Sequence, residues 1–279
     1  MNKLLRKHLP LRHKITIKMN KSKLIEELIP IVYKAGEAIL AVYADENNFS
    51  VEQKSDQSPL TKADLASNTV INEGLQKLSE IFPVVSEENK EVPYEVRRHY
   101  DYYWLVDPLD GTKEFIKRNG EFTVNVALIH EQRPVLGLVY APCLDEMYWA
   151  VKGEGAYMLK DGVTTKLQAP AFSVNDKGLK IVASRSHLNA ETEAYVARFD
   201  EPAMVSKGSS LKFLLMTDGQ AHVYPRIAPT MEWDTAAAQI VLEEAGGKVL
   251  RYEDDQPLFY NKENLLNPFF VAIGNMVNS

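Results

Sequence analysis

Three observations predict a layered α/β protein. The first is a helical period near the N-terminus: Leu24, Leu28, Val32, Ala35, Ile39 and Val42 share one face of a stretch from Ser22 to about Ala44. The second is a succession of short apolar runs, "PVVSEEN", "YYWLVDPLDG", "FTVNVALIH", "PVLGLVYAP" and "EMYWAVKGEGAYML", which read as strands. The third is an alternation of strand and helix patterns beyond about residue 160. Together they predict a mixed sheet first and a half rich in βαβ units second.

Each element has its own reason. Pro30 lies inside the first helix and is expected to kink it. The polar stretch "SVEQKSDQSPLTKAD" reads as a loop. It leads to a second amphipathic helix, Asp64 to Phe82, with Val70, Ile71, Leu75 and Leu78 inward. Gly153 and Gly155 mark a hairpin in "EMYWAVKGEGAYML". Next come a strand in "LKIVASRSH", a helix from Ala190 to Arg198 and a strand in "AMVSKG". A helix in "SSLKFLLMTDG" is closed by Gly219, and "AHVYP" is a strand. "DTAAAQIVLEEAGG" is a helix with a glycine stop, followed by strands in "KVLRY" and "FFVAIGN".

The chain has 279 residues, 45% hydrophobic and 25% charged, which is ordinary globular composition. That length suits one large domain or two fused halves, here residues 22–160 and 161–279. A net charge of −6 argues against a nucleic-acid partner. The single cysteine, Cys143, excludes an internal disulfide and suits a reducing cytoplasm. With no base or metal partner nearby in sequence, Cys143 is expected to be a small buried side chain. Residues 1–21 are basic, with Lys3, Arg6, Lys7, Arg12, Lys14, Lys18 and Lys21 all preceding the first acid, Glu26. Their apolar pieces are too short for a signal peptide or a membrane span. A disordered extension is expected there, with weak peripheral contact to anionic lipid at the inner membrane's cytoplasmic face as the alternative.

The chemistry concentrates where strands end. "DPLDG" alone is strong turn material, because proline presets φ, aspartates bond their own backbone and glycine allows φ > 0. Three strand-like runs, however, end in acids: Glu87 and Glu88, Asp107 and Asp110, and Glu232 and Asp234. Ligands in α/β sheets bind at strand ends. Carboxylates converging there repel one another unless a cation sits between them. All-oxygen donors suit Mg²⁺, Mn²⁺ or Ca²⁺, and the lack of a neighbouring histidine argues against zinc. Gly111 and Thr112 lie just beyond the acids, where N–H groups and a hydroxyl can meet a phosphate. Asp234 opens a helix, so it reads either as an N-cap or as part of that site.

"VVSEEN", "DPLDGTKEF" and "WDTAAAQIVLEEAGG" resemble, in order, the three signatures of the inositol monophosphatase superfamily of Mg²⁺-dependent, lithium-sensitive phosphatases. The resemblance runs from about Ser22 to the C-terminus. It implies an α/β/α/β/α layered sandwich and hydrolysis of phosphate monoesters. It further implies that Glu87, Asp107, Asp110, Asp234 and the carbonyl of Leu109 hold two or three Mg²⁺ ions, with Asp107 bridging. Gly111 and Thr112 match its phosphate-cradling positions. Asp64 matches the acid that, with the Thr112 hydroxyl, orients the attacking water and takes its proton.

"TKEFIKRNGEFTVNVAL" and "HVYPRIAPTMEWDTAAAQ" are similar to the 3′(2′),5′-bisphosphate nucleotidase branch. That branch implies adenosine 3′,5′-bisphosphate as substrate, with adenosine 5′-monophosphate and phosphate as products. The phosphate that is not cleaved wants cationic donors, and arginine grips it with two N–H groups. Lys212 and Arg226 are the candidates, with Ser209, Ser210 and His187 behind them. Inositol monophosphatase activity on the same metal site is the first alternative. A non-catalytic metal or nucleotide sensor is the second.

Overall fold

The structure is a computed structural model that describes residues 19–45, 51–53, 59–183 and 189–277, with side chains described outside 51–60. Most of the basic arm therefore lies outside the described residues, as does His187.

Helix α1 (Lys21–Ala44) runs where its periodicity predicts and continues across Pro30. Asn20 starts it by accepting the Lys23 N–H on its side chain at 3.0 Å. A short antiparallel pair, β1 (Val51–Gln53) and β2 (Pro59–Thr61), leads into α2 (Lys62–Leu75). That helix stops well short of Phe82, because "KLSEIFP" breaks into turns before a proline.

A seven-stranded sheet follows, with β3 (Val84–Ser86), β4 (Tyr102–Asp110), β5 (Thr123–His130), β6 (Arg133–Ala141), β7 (Glu146–Val151), β8 (Gly155–Lys160) and β9 (Val163–Leu167) side by side in that order. Two short helices, α3 (Tyr94–Arg97) and α4 (Thr112–Ile116), interrupt the succession. Only β3 and β4 are parallel within it. Successive side chains point to opposite faces. On one face Trp104, Val106, Val126, Leu128 and Leu138 meet the apolar stripes of α1 and α2. On the other, Leu105, Ala127, Ile129 and Val139 meet later helices.

The second half adds β10 (Phe172–Ser173), β11 (Lys180–Val182), α5 (Ala190–Val196), β12 (Ala203–Val205), α6 (Leu211–Leu214), β13 (Val223–Arg226), α7 (Ala236–Glu244), β14 (Lys248–Arg251), β15 (Phe270–Ile273) and β16 (Met276–Val277). Five of its strands form a sheet in the order β12-β11-β13-β15-β14. β12, β11, β13 and β14 run in one direction and β15 runs against them. Ala237, Ile240 and Val241 of α7 lie between the two sheets, touching the large sheet on one side and the Tyr224, Val249 and Phe270 surface on the other. Gly137 permits this approach, since a Cβ there would sit 2.6 Å from the Ala237 carbonyl oxygen. Val196 of α5 packs on the outer face through Ile181, Val223 and Val271. The layers are thus α1 and α2, large sheet, α6 and α7, small sheet, α5: the α/β/α/β/α sandwich that the resemblance implies.

Besides the early end of α2 and the β1–β2 pair within the stretch expected to be a loop, three local expectations fail. Cys143 is exposed, in the turn between β6 and β7, rather than buried. The helix expected through "SSLKFLLMTDG" has one regular turn, because the chain beyond Leu214 closes by tighter turn bonds, Met216 N–H to the Phe213 carbonyl at 3.2 Å and Thr217 N–H to the Leu214 carbonyl at 3.0 Å. "PTMEWD" is no strand: Met231 makes one isolated bridge to Leu266, and the acids there sit in a turn.

Candidate active site

β4 is interrupted between Asp107 and Asp110. Asp107 pairs with Asn125 and Asp110 with Thr123, so β4 carries one residue more than its partner. The bulge turns both carboxylates to the end of the sheet. The Leu109 N–H donates to Asp107 Oδ1 at 3.0 Å, and the Ser67 hydroxyl donates to the Pro108 carbonyl at 2.7 Å. Glu87 follows β3 directly, its N–H donating to the Val106 carbonyl at 3.2 Å. "DPLDG" is therefore a turn and a cluster of acids together.

α2 delivers Asp64 from the other side. Its Oδ2 accepts the Thr61 N–H at 2.7 Å, one half of a capping box, and also the Thr61 hydroxyl at 2.6 Å. Its Oδ1 accepts the Thr112 hydroxyl at 3.2 Å. Gly111 links this pair to Asp110 at φ 95°, a left-handed conformation that favours glycine. Asp234 approaches from the turn before α7, where its Oδ2 accepts the Met231 N–H at 2.9 Å. It is not the N-cap; Thr235 occupies that position.

These carboxylates are electrostatically one unit. Burial raises the Asp107 carboxyl well above its ordinary range, and Glu87, Asp110, Asp234 and Asp64 raise it further. Asp234 is pushed up to about 8, by burial first and then by Asp110. Asp110 reaches only about 6, since Lys212 and the Ser210 N–H oppose the effect of burial. Among the described residues, no three or more His, Cys, Asp or Glu side chains form a ready metal cage. The donors are nonetheless all oxygen, and every charge that shifts Asp107 is negative. That combination fits a hard divalent cation.

Beside the acids opens a cleft of about 650 Å³, lined in part by Asp110, Gly111, Ser209, Lys212, Tyr224 and Arg226. Of the substrate candidates, Ser209, Lys212 and Arg226 meet there. Lys212 donates to the Ser209 carbonyl at 2.7 Å and lies 5.9 Å over the Tyr224 ring. Arg226 donates from Nε to Thr230 and from Nη2 to the Pro229 carbonyl. Ser210 turns away from the cleft: its hydroxyl bonds Asn125 and Thr123 inside the protein. Glu232 also leaves the site, forming a buried pair with Lys262 at 2.6 Å.

Sequence reasoning missed Asn125, Lys207, Asn189 and Thr192. Asn125 is buried and donates to Asp110 Oδ2 at 3.4 Å. A lone amide within the apolar run "FTVNVALIH" was the signal for it. Lys207, Asn189 and Thr192 line the cleft from loops and a short helix, where no periodicity marks them.

A five-layered sandwich with coupled acids at a strand bulge defines a class, and the inositol monophosphatase family pattern matches residues 20–269. The chain belongs to that family. It is similar to the 3′(2′),5′-bisphosphate nucleotidase CysQ of Salmonella typhimurium, 46% identical over 88% of this chain and 98% of that protein. The Haemophilus influenzae protein of the same name is 34% identical over 90% of this chain and 93% of its own. Among solved structures, CysQ from Bacteroides thetaiotaomicron superposes with a TM-score of 0.78 at 42% identity, covering 92% of this chain and 98% of that one. An IMPase/NADP phosphatase complexed with Mg²⁺ and phosphate shares the fold at a TM-score of 0.74 and 19% identity, over 91% and 92% of the two chains.

Proposed function

We propose that this protein is a Mg²⁺-dependent 3′(2′),5′-bisphosphate nucleotidase that removes the 3′-phosphate of adenosine 3′,5′-bisphosphate. The 46% identity to a nucleotidase across nearly the whole chain supports the activity. The observation that carries the chemistry is the buried Asp107 carboxylate set among Glu87, Asp110, Asp234 and Asp64, next to a cleft with cationic side chains.

The carboxylates of Glu87, Asp107, Asp110 and Asp234, with the Leu109 carbonyl, are the proposed metal ligands. A bound divalent cation supplies neutralisation of the phosphoryl oxygens and lowers the pKa of water. The chain's own residues do the rest. The Thr112 hydroxyl, donating to Asp64 Oδ1, leaves its oxygen lone pair to accept a hydrogen bond from water and so aims it. Asp64 receives the proton through that contact as the water oxygen bonds phosphorus. The bond from phosphorus to the 3′ oxygen breaks, and the leaving oxygen takes a proton from solvent. Lys212 and Arg226 hold the phosphate that stays, a matter of positioning and electrostatics. Among the described residues no helix is long and apolar enough to cross a membrane. We place the reaction in the cytoplasm, clearing a by-product of sulfate assimilation.

The test is phosphate release from adenosine 3′,5′-bisphosphate, inositol 1-phosphate and fructose 1,6-bisphosphate, each with Mg²⁺, with EDTA and with added Li⁺. Mg²⁺-dependent, Li⁺-inhibited preference for the nucleotide is expected. Preference for inositol 1-phosphate overturns the substrate, and no release from any substrate overturns the enzyme.

A further inference from the structure

We propose that Glu121 is a positioning residue for substrate selection: it clamps the loop Lys207–Ser210 so that the Ser209 hydroxyl faces the part of the substrate that is not hydrolysed. The inference rests on the nucleotidase reading and deepens it.

Glu121 sits between α4 and β5, behind the loop residues Lys207, Gly208 and Ser209 that line the cleft. Its two carboxylate oxygens do different jobs. Oε2 accepts the Gly208 N–H at 2.7 Å, and Oε1 pairs with Lys207 Nζ at 3.3 Å. The backbone joins in from the same residue: a Cβ on Gly208 would lie 2.6 Å from the Glu121 carbonyl oxygen, so the loop and the Glu121 backbone touch directly. Only glycine fits there without moving one of them.

A second, independent observation says what the clamp is for. Ser209 follows at φ 46°, a conformation that costs a residue with a Cβ about 1 kcal/mol or more unless its surroundings impose it. Its hydroxyl is buried and has no hydrogen-bond partner among the described residues, yet Ser209 lines the cleft. A buried hydroxyl left without a partner is unfavourable unless a ligand completes it. The Ser209 side chain also abuts Gly111, 3.2 Å from where a Cβ there would lie, so the clamped loop is packed against the Asp110–Gly111 turn. The Lys207 ammonium, meanwhile, pairs with Glu121, while Lys113, Lys212 and Arg226 also line the cleft. Glu121 therefore contributes geometry to the cleft, and its carboxylate charge is answered by Lys207.

The chemistry recognised is that of an anion bearing hydroxyl-seeking oxygens, the remote phosphate or the ribose of the nucleotide. A small monoester lacks that second group, so it offers the Ser209 hydroxyl no such partner to hold. The experiment compares Glu121→Ala and Glu121→Gln with the parent on adenosine 3′,5′-bisphosphate and on p-nitrophenyl phosphate, alongside thermal melting. Glu121→Ala loses both contacts, and KM for the bisphosphate rises by about tenfold while KM and kcat for the small ester stay within about twofold. Glu121→Gln keeps an oxygen to accept the Gly208 N–H and recovers most of the bisphosphate KM. Equal losses on both substrates with a lowered Tm would make Glu121 merely structural and overturn the inference. Unchanged KM on both would overturn it too. A parent that does not turn over the bisphosphate would instead refute the nucleotidase reading, and the clamp's purpose with it.

Discussion

Two buried carboxylates, Glu232 two residues before the site's Asp234 and Asp107 within the site itself, have opposite environments. Glu232 is fully buried, and its charge is answered inside the protein: Lys262 Nζ lies 2.6 Å away, and the N–H groups of Asn261 and Lys262 donate at 2.7 and 3.0 Å. Asp107 is equally buried, but the groups that shift it are four further acids. Burial raises both carboxyl pKa values, and at Glu232 the Lys262 cation pulls against it, while at Asp107 the neighbouring charges of Glu87, Asp110, Asp234 and Asp64 push the same way as burial. The difference separates structure from function. An acid matched by a protein cation holds loops together, whereas an acid left among acids is matched from outside.

The comparison breaks most sharply at Asp110. Asp110→Asn is expected to lower kcat by about a thousandfold or more while leaving the melting temperature unchanged or higher, since it removes a repelled charge. Residual activity near that of the parent would move the site elsewhere. On the structural side the sign reverses. Lys262→Met leaves Glu232 buried without its cation and is expected to cost about 3 kcal/mol in urea unfolding, most of which the double change with Glu232→Gln restores. A single variant as stable as the parent would deny the contrast.

Thr112→Val tests the water-orienting pair. It removes the donor to Asp64 Oδ1 and is expected to lower kcat by about a hundredfold with little change in KM. A smaller effect follows from pH. With metal removed, the folded values of about 6 for Asp110 and about 8 for Asp234 stand above the ordinary 3.8. A raised folded pKa contributes stability that is fully present below the unfolded value and lost as pH rises through the folded one. Melting in EDTA should therefore fall from about pH 4 to about pH 8, and Mg²⁺ should restore most at the upper end. The smallest effect is expected at Cys143→Ser: an exposed turn residue, within about 0.5 kcal/mol of the parent.

How much of this was legible depended on where the signal sat. The continuous apolar run in "YYWLVDPLDG" and the acids at its end marked both the strand and the site, because a strand buried on both faces and its turn residues leave local traces. α1 was legible to within a residue for the same kind of reason, and Pro30 did not stop it. Glu232 was not separable from Asp234 by sequence. Both are acids in one short turn, and only Lys262, brought in from the loop after β14, distinguishes them. Cys143 was misplaced because a small apolar side chain in a strand-rich context has no feature that says which side of a turn it takes. The cleft wall was legible only in part. Lys212 and Arg226 could be guessed from charge, but the Glu121 clamp joins residues far apart in the chain through a backbone N–H.

The most direct test of the central claim is a Mg²⁺ titration of thermal unfolding at about pH 8, run on the parent and on Asp107→Asn. The account predicts that Mg²⁺ raises the parent's melting temperature, while Asp107→Asn is already more stable than the parent in EDTA and gains little from the ion. Equal stabilisation of both proteins by Mg²⁺ would contradict it, since the charge at Asp107 would then not be what the ion answers.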